Sequence, residues 1–166
     1  SIIVSLDGDD WLSNYEVLNL LNDIYFSSAC LMTYGSYNEF PYRNIKWAWK
    51  ERSIDDLINI RKKKLSLSHL RTWQRDFFLN IDKESLKIGG EYPKMSGDVS
   101  VLLYLVEMFP EKCQFINAVL YNYNRTNVLS DSCVDEKLQI KTAEHFFNKE
   151  SYQKLEPNNI FNIKND

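Results

Sequence analysis

Apolar and polar residues follow two different periods along the chain, and their succession predicts an α/β fold. A short β-branched run over 2–6 ends in a polar turn, which is the pattern of a buried strand. Elsewhere apolar residues recur every three or four positions, which is typical of a helix with one buried face. By these criteria further strands are predicted over 29–37, 65–73 and 114–124, and helices over 76–81, 99–109 and 134–147.

Two more helices are predicted from capping boxes, in which a Ser and an acid three residues later bond each other's backbone N–H groups. Ser13 with Glu16 begins one of them, and Ser53 with Asp56 begins the other. The stretch 38–51 between them is polar and aromatic, and we expect a loop or an edge strand there.

Composition limits the classes of protein that the chain can belong to. Its 166 residues are 44% hydrophobic, which is enough to bury the core of one domain. We find neither an internal repeat nor an interdomain linker, so 1–152 is expected to form one domain and 153–166 a tail. The formal charge of -3 argues against a broad nucleic-acid-binding surface. No run reaches the roughly 18 to 20 apolar residues of a membrane span.

The cysteines indicate the cellular compartment, and the first residues indicate how the chain begins. Cys30, Cys113 and Cys133 are odd in number and widely spaced, which argues against a disulfide framework and a structural zinc site. We expect core thiols in a reducing compartment, and therefore a cytoplasmic location. Ser1 leads directly into the apolar run, which suggests a cut or processed start.

Three carboxylates, Asp7, Asp9 and Asp10, crowd the turn at the carboxyl end of the first predicted strand. Neighbouring carboxylates repel each other and raise each other's pKa, so a bound cation or polar ligand would reduce the repulsion within the turn. The spacing does not fit an EF-hand, because Leu12 stands where that loop needs Gly. It does not fit a phosphatase-type D-x-D-x-T either, because Trp11 replaces the Thr. The alternative is a solvated acidic turn that caps the next helix.

Other candidate residues lie further along the chain. Asp98 falls in the first turn of the apolar helix, where the alternative is an ordinary helix-terminal acid. Trp47 and Trp49 would share one face of a strand and form a platform for a sugar ring, unless they only fill the core. The basic run 61–64 is expected to be a solvated face.

Five segments in this order resemble the GT-A glycosyltransferases of the large inverting family 2 type: DGDDWL, YGSY, HLRTW, SGDVSVLLYLVEMF and LYNYN. The resemblance covers about residues 1–147. It implies an α/β fold with a GT-A-like mixed sheet and flanking helices, corresponding to the C-terminal two-thirds of a nucleotide-diphospho-sugar transferase. In the family the nucleobase-binding portion precedes D-x-D, so we expect the chain to be an excerpt of a longer polypeptide, the alternative being a remnant.

The resemblance also implies residue roles. Asp9 would bind Mn²⁺ or Mg²⁺ with Asp7 and Asp10 completing the metal site, Asp10 in a supporting role, and Asp7 would also lie nearer the donor ribose. His69 and Arg71 would meet the donor phosphates or the metal, Arg71 through charge-assisted bonds, the alternative being a strand whose polar groups are satisfied within the protein. At the helix start Asp98 would be the general base. The family usually has an acidic pair there, but this chain has Gly97 before that Asp.

The function expected from the resemblance is a metal-dependent, inverting transfer of a sugar from a nucleotide-diphosphate sugar, most often a UDP-sugar. The acceptor would be a hydroxyl of a glycan, a lipid or a protein. Two alternatives stay open. One is a noncatalytic carbohydrate-binding or interaction module of the same fold, and the other is a metal-dependent phosphotransfer enzyme.

Overall fold

A mixed sheet with helices on both faces organises the chain. The structure is a computed structural model that describes residues 1–42, 44–45 and 51–152. Its strands are β1 (Ile2–Ser5), β2 (Trp11–Leu12), β3 (Met32–Phe40), β4 (Asn44–Ile45), β5 (Arg71–Gln74) and β6 (Cys113–Asn124). Its helices are α1 (Val17–Ser27), α2 (Ile54–Ile58), α3 (Arg75–Phe78), α4 (Gly97–Met108) and α5 (Asp131–Asn148), with 3₁₀ turns at Lys83–Leu86 and Pro110–Lys112. The α/β class predicted from the sequence is confirmed.

The sheet has the strand order β1-β5-β3-β6-β2, and the short β4 pairs with β3. The central pair β3 and β6 is parallel, whereas the other pairs are antiparallel. The β3–β6 register shifts on both sides of Ser36. Next to it, Gly35 packs closely against the neighbouring backbone, because a Cβ there would stand a tight 3.3 Å from the carbonyl oxygens of His69 and Ile116. This close approach brings the segment before β5 against the middle of the sheet.

Two apolar clusters lie on opposite faces of the sheet. Alternation along β6 turns Phe115 toward the larger cluster and Ile116 toward the smaller one. Most of α4 is buried in the larger cluster, together with Met32 and Phe109. The smaller cluster packs under α1. Since α4 is fixed along its length, the position of its first turn is fixed as well.

A buried ion pair ties α4 to the C-terminal part of the described chain. Arg61 Nε donates to Glu107 Oε1 at 2.6 Å, and both side chains are buried. Arg61 also donates to the Phe146 carbonyl in α5. The backbone N–H of Tyr152 donates to Glu107 Oε2 at 3.1 Å. The contacts join the segment after α2 to α4 and α5 at the end of α4 remote from its first turn.

Several predicted elements are confirmed. The Ser53 hydroxyl accepts from Asp56 N–H, and the Asp56 carboxylate accepts from Ser53 N–H, so this capping box forms. The apolar helix ends just before Pro110, as predicted. In the basic run, 62–64 are exposed as predicted and Lys63 forms ion pairs with carboxylates of α2, but Arg61 is buried against Glu107, so the prediction of a solvated face is wrong for that residue.

Other predictions are wrong, because long-range contacts override the local pattern. The capping box of Ser13 and Glu16 does not form, since Ser13 N–H donates to the Leu120 carbonyl in β6 and α1 begins only at Val17. The first strand is half-buried at the edge of the sheet instead of fully buried. The strand predicted over 65–73 is shortened to Arg71–Gln74.

The remaining sequence-based expectations concern the compartment. Cys30 is buried, whereas Cys133 is exposed and is not the core thiol that was predicted. Within the described part of the chain, no helix is both long and apolar enough to cross a membrane.

Candidate functional site

A cleft of about 440 Å³ opens where β1 ends. Its walls come from the turn after β1, the start of β5, the start of α4 and the loop after β6. The cleft brings together all the polar residues predicted for the site, namely Asp7, Asp9, Asp10, His69, Arg71 and Asp98. Trp47 and Trp49, predicted as a platform for an acceptor sugar, lie outside the described residues.

Asp10 fastens the acidic turn to β6. The Tyr121 hydroxyl donates to Asp10 Oδ2 at 2.5 Å, and the Asn124 backbone N–H donates to Asp10 Oδ1 at 2.7 Å. The same hydroxyl accepts from Asp7 N–H at 3.3 Å. With both oxygens hydrogen-bonded inside the protein, Asp10 is suited to the supporting role expected for it, and it holds the turn in place.

Asp9 is oriented by a residue that the sequence did not single out. Asn127, in the loop after β6, donates from Nδ2 to Asp9 Oδ2 at 2.6 Å. One Asp9 oxygen is therefore fixed by the protein, and Oδ1 is the candidate for a ligand. The motif LYNYN pointed to this end of β6, but no local pattern indicates that Tyr121 or Asn127 contacts the acidic turn.

Two carboxylates of the turn have raised pKa values, chiefly because they are partly buried and only to a lesser extent because of their spacing. Burial in the cleft raises the pKa of Asp7; the Arg71 guanidinium acts in the opposite direction, while the nearby carboxylates raise it further. Burial also raises the pKa of Asp10, against the lowering effect of its hydrogen bonds from Asn124 and Tyr121. A bound cation would favour the ionised forms and lower these pKa values.

Asp98 and Arg71 form an ion pair across the cleft. Arg71 Nη1 donates to Asp98 Oδ2 at 2.6 Å, with 6% of the Arg71 side chain and 45% of the Asp98 side chain exposed. Before α4, Ser96 has a left-handed backbone (φ 53°), and its hydroxyl donates to the Gln139 carbonyl of α5 at 3.1 Å. A residue other than Gly in this conformation is uncommon. The turn and the ion pair together aim an accessible carboxylate into the cleft.

His69 is held as a neutral imidazole among tyrosines. Its ring stacks on Tyr121 with 4.5 Å between centroids, and Tyr37 and Tyr123 lie 5.9 Å away. Burial lowers the pKa of His69 to about 3, and the Arg71 charge acts in the same direction. His69 therefore offers a neutral hydrogen-bonding nitrogen at physiological pH, and Arg71 supplies the fixed positive charge.

The carboxylates of the cleft suit a cation that is bound partly by the protein and partly by the oxygens of a ligand. Among the described residues no group of three or more His, Cys, Asp or Glu side chains is arranged to hold a metal ion. Within the acidic turn, the Asp7 carboxylate and Asp9 Oδ1 are the candidate ligands. A hard cation such as Mn²⁺ or Mg²⁺ commonly combines one or two carboxylates with phosphate oxygens and water. The cleft is thus suited to a metal that arrives with a diphosphate.

Asp7→Asn is expected to raise the stability of the metal-free protein at pH 7. A raised pKa means that folded Asp7 retains its proton more tightly than unfolded Asp7, so its charge destabilises the fold as the pH rises above about 4. Asn removes this charge. Because Asp7 lies at the rim of the cleft, where its neighbours shield it from water only in part, the gain should stay below about 1 kcal/mol.

The measurement is urea unfolding of both proteins at pH 7 and at pH 4 without divalent metal. The gain should shrink at pH 4, and Asp23→Asn on the exposed side of α1 should show no such dependence. An Asp7→Asn gain that is equal at both pH values, or a loss at pH 7, would contradict the raised pKa assigned to Asp7.

Comparisons with known proteins do not place the chain in a family. No protein-family model matches the sequence, and no curated protein matches it significantly. Function is therefore inferred from the chemistry of the cleft.

Proposed function

We propose that the chain is the catalytic region of a metal-dependent, inverting glycosyltransferase with a GT-A-like fold. It would move a sugar from a nucleotide-diphosphate donor, in the first instance a UDP-sugar, to a hydroxyl of a glycan, lipid or protein. The observation that carries the proposal is the meeting of Asp7, Asp9 and Asp98 in one cleft with Arg71. These residues come from three separate segments. The carboxylates of the turn suit metal binding, Arg71 suits diphosphate binding, and Asp98 suits the role of general base.

The acidic turn and Arg71 are the proposed binding groups for the donor diphosphate. Asp9 Oδ1 and the Asp7 carboxylate would hold Mn²⁺ or Mg²⁺, which when bound stabilises the negative charge of the leaving diphosphate. Arg71 supplies a buried guanidinium suited to phosphate oxygens, and Lys94 lines the same cleft. The fixed turn keeps these groups in one arrangement before the donor binds.

Asp98 is the proposed general base. Arg71 holds Asp98 Oδ2, which leaves Oδ1 as the candidate to take the proton from the acceptor hydroxyl. As that oxygen attacks the anomeric carbon, the bond from this carbon to the diphosphate breaks on the opposite side, so the configuration inverts. General-base assistance of this kind is worth about 10²- to 10⁴-fold in rate.

Nucleotide binding that depends on metal and on Asp9 is the expected result of the first test. Thermal unfolding is followed with UDP, GDP and TDP, each with and without Mn²⁺. A ligand at 100 times its Kd stabilises the folded state by about 2.7 kcal/mol. For a domain of this size that corresponds to a shift in Tm of roughly 5–10 °C. We expect this shift for UDP with Mn²⁺ and its loss in Asp9→Asn.

Asp23→Asn serves as the matched control, because it removes one exposed carboxylate of α1 outside the cleft. It should retain the full shift. Failure of all three nucleotides to stabilise the wild-type protein with Mn²⁺, or an undiminished shift in Asp9→Asn, would refute the proposed donor site.

The second candidate is a noncatalytic carbohydrate-binding module. It is favoured by the tyrosines around the cleft, since Tyr37 and Tyr123 lie with ring centroids 5.3 Å apart and border the same region as His69. Such a module predicts glycan binding that is indifferent to metal and to Asp9→Asn. It also predicts no transfer from any donor.

A further inference from the structure

A second cavity of about 240 Å³ shares a wall with the cleft. The shared wall contains Arg71 and Asp98, and the remaining lining includes Tyr37, Ser68 and Arg125. We call this cavity the side chamber. We propose that the side chamber binds one uncharged sugar unit of the acceptor through Ser68, His69 and the surrounding tyrosines. That this sugar belongs to the acceptor follows only if the proposed glycosyltransferase function is correct. The chemical class assigned to the acceptor is an uncharged sugar.

The charges around the side chamber are balanced. Arg71 is paired with Asp98. Arg125 donates from Nε at 2.9 Å and from Nη2 at 2.8 Å to Oε1 of the buried Glu39. Each guanidinium that lines the chamber thus faces a carboxylate, and among the described residues the chamber lining, unlike that of the cleft, includes neither a lysine nor the proposed metal-binding turn. The balance favours an uncharged ligand.

The aromatic walls suit the apolar face of a sugar ring. Tyr37 and Tyr123 both line the chamber, and Arg125 packs over the Tyr123 ring at 4.9 Å from its centroid. Ligand sites combine such aromatic surface with a few fixed polar groups that orient the ligand. Arg125 and Glu39 therefore hold Tyr123 in place besides neutralising each other.

Two neighbouring polar groups in the wall lack partners. Ser68 Oγ and His69 Nδ1 are both buried, and neither has a hydrogen-bond partner within the described part of the chain. Such groups are unfavourable when left unpaired and usually have a partner. A ligand hydroxyl can both donate and accept a hydrogen bond, so it can pair with Ser68 Oγ and with Nδ1 of the neutral His69. Adjacent hydroxyls of a sugar match this pair.

The size and the position of the side chamber suit a single sugar unit. At about 240 Å³ the chamber is smaller than the roughly 300–1,000 Å³ pockets that hold drug-sized ligands, so we expect a ligand no larger than one sugar unit. Asp98 stands in the wall between the chamber and the cleft. A sugar in the chamber would place a hydroxyl beside the proposed base, with the donor on the other side.

The test is saturation-transfer NMR on the protein with UDP and Mn²⁺. The probes are methyl glycosides of glucose, galactose and mannose, compared with methyl glucuronide, glucosamine and glycerol 1-phosphate. At least one uncharged glycoside should bind, and the charged probes should bind more weakly. Ser68→Ala should weaken glycoside binding at least 5-fold without changing the affinity for UDP with Mn²⁺. Ser151→Ala, at an exposed site outside the chamber, is the matched control and should change neither.

The outcomes separate this inference from the proposed function. Preferred binding of glycerol 1-phosphate or methyl glucuronide would overturn it, and so would glycoside binding that Ser68→Ala leaves unchanged. Absence of glycoside binding while UDP binds with Mn²⁺ would overturn it and leave the donor site intact. Glycoside binding that depends on Ser68 without nucleotide binding would support a sugar chamber and refute the transferase.

Discussion

Asp98→Asn is expected to lower the initial rate of sugar transfer about 10²- to 10⁴-fold. The amide keeps the shape of the side chain but cannot accept the proton of the acceptor hydroxyl. The buried Arg71 loses its anionic partner in this variant but can still donate to the amide oxygen of the new side chain, so the fold should persist with reduced stability. The rate is followed as UDP released in the presence of an acceptor glycoside.

Two further measurements show that the loss is catalytic. UDP with Mn²⁺ should raise the Tm of Asp98→Asn by as much as it raises that of the wild-type protein. Asp76→Asn, which removes an exposed carboxylate in α3, should retain the full rate. A rate for Asp98→Asn within a few-fold of wild type would exclude Asp98 as the base, and a loss of UDP binding would show a role in the donor site instead.

Glu107→Ala is expected to destabilise the protein by about 3–5 kcal/mol. The substitution leaves Arg61 buried without its carboxylate and removes the acceptor of the Tyr152 N–H. For a domain of this size the fall in Tm would be roughly 6–20 °C. Urea unfolding measures the difference directly, and Lys63→Ala, which removes two exposed ion pairs, should lower the stability far less than Glu107→Ala does.

A double variant distinguishes the buried charge from simple loss of packing. Replacing the pair together, as Arg61→Met with Glu107→Leu, removes the uncompensated charge and keeps much of the volume, so it should be less destabilising than Glu107→Ala alone. If the double variant loses as much free energy of unfolding as the two single variants together, the destabilisation of Glu107→Ala does not come from the unpaired buried charge of Arg61.

The sequence predicted the parts of the site that depend on local pattern. The run before Asp7 and the apolar helix before Pro110 place carboxylates at the end of a strand and in the first turn of a helix. Strand ends and helix starts follow from periodicity and terminal residues within a few positions. These local signals mark Asp9 and Asp98 as candidates, whereas the roles expected for them come from the resemblance to GT-A glycosyltransferases.

The contacts that orient these carboxylates could not be predicted in the same way. Tyr121 meets Asp10 because β2 pairs with β6, and Arg71 meets Asp98 because β5 passes beside the start of α4. Such pairs join distant segments, and no spacing in the sequence marks them. The register of the strands decides which side chains face each other.

The error over 65–73 has a similar cause and a functional consequence. Alternating polar and apolar residues favoured a strand, but Gly35 N–H donates to the Ser68 carbonyl where the β3–β6 register shifts. The segment therefore packs against the sheet as an irregular wall before β5 begins. That irregularity is what places Ser68 and His69 beside the cleft.

The measurement that tests the central claim most directly is the identity of the first product formed by the wild-type protein. The protein is incubated with α-linked UDP-sugars, Mn²⁺ and an uncharged methyl glycoside, and proton NMR follows the anomeric signals. The account predicts UDP release coupled to a new β-linked disaccharide. A product with retained α configuration, or nucleotide hydrolysis that needs no sugar, would contradict it.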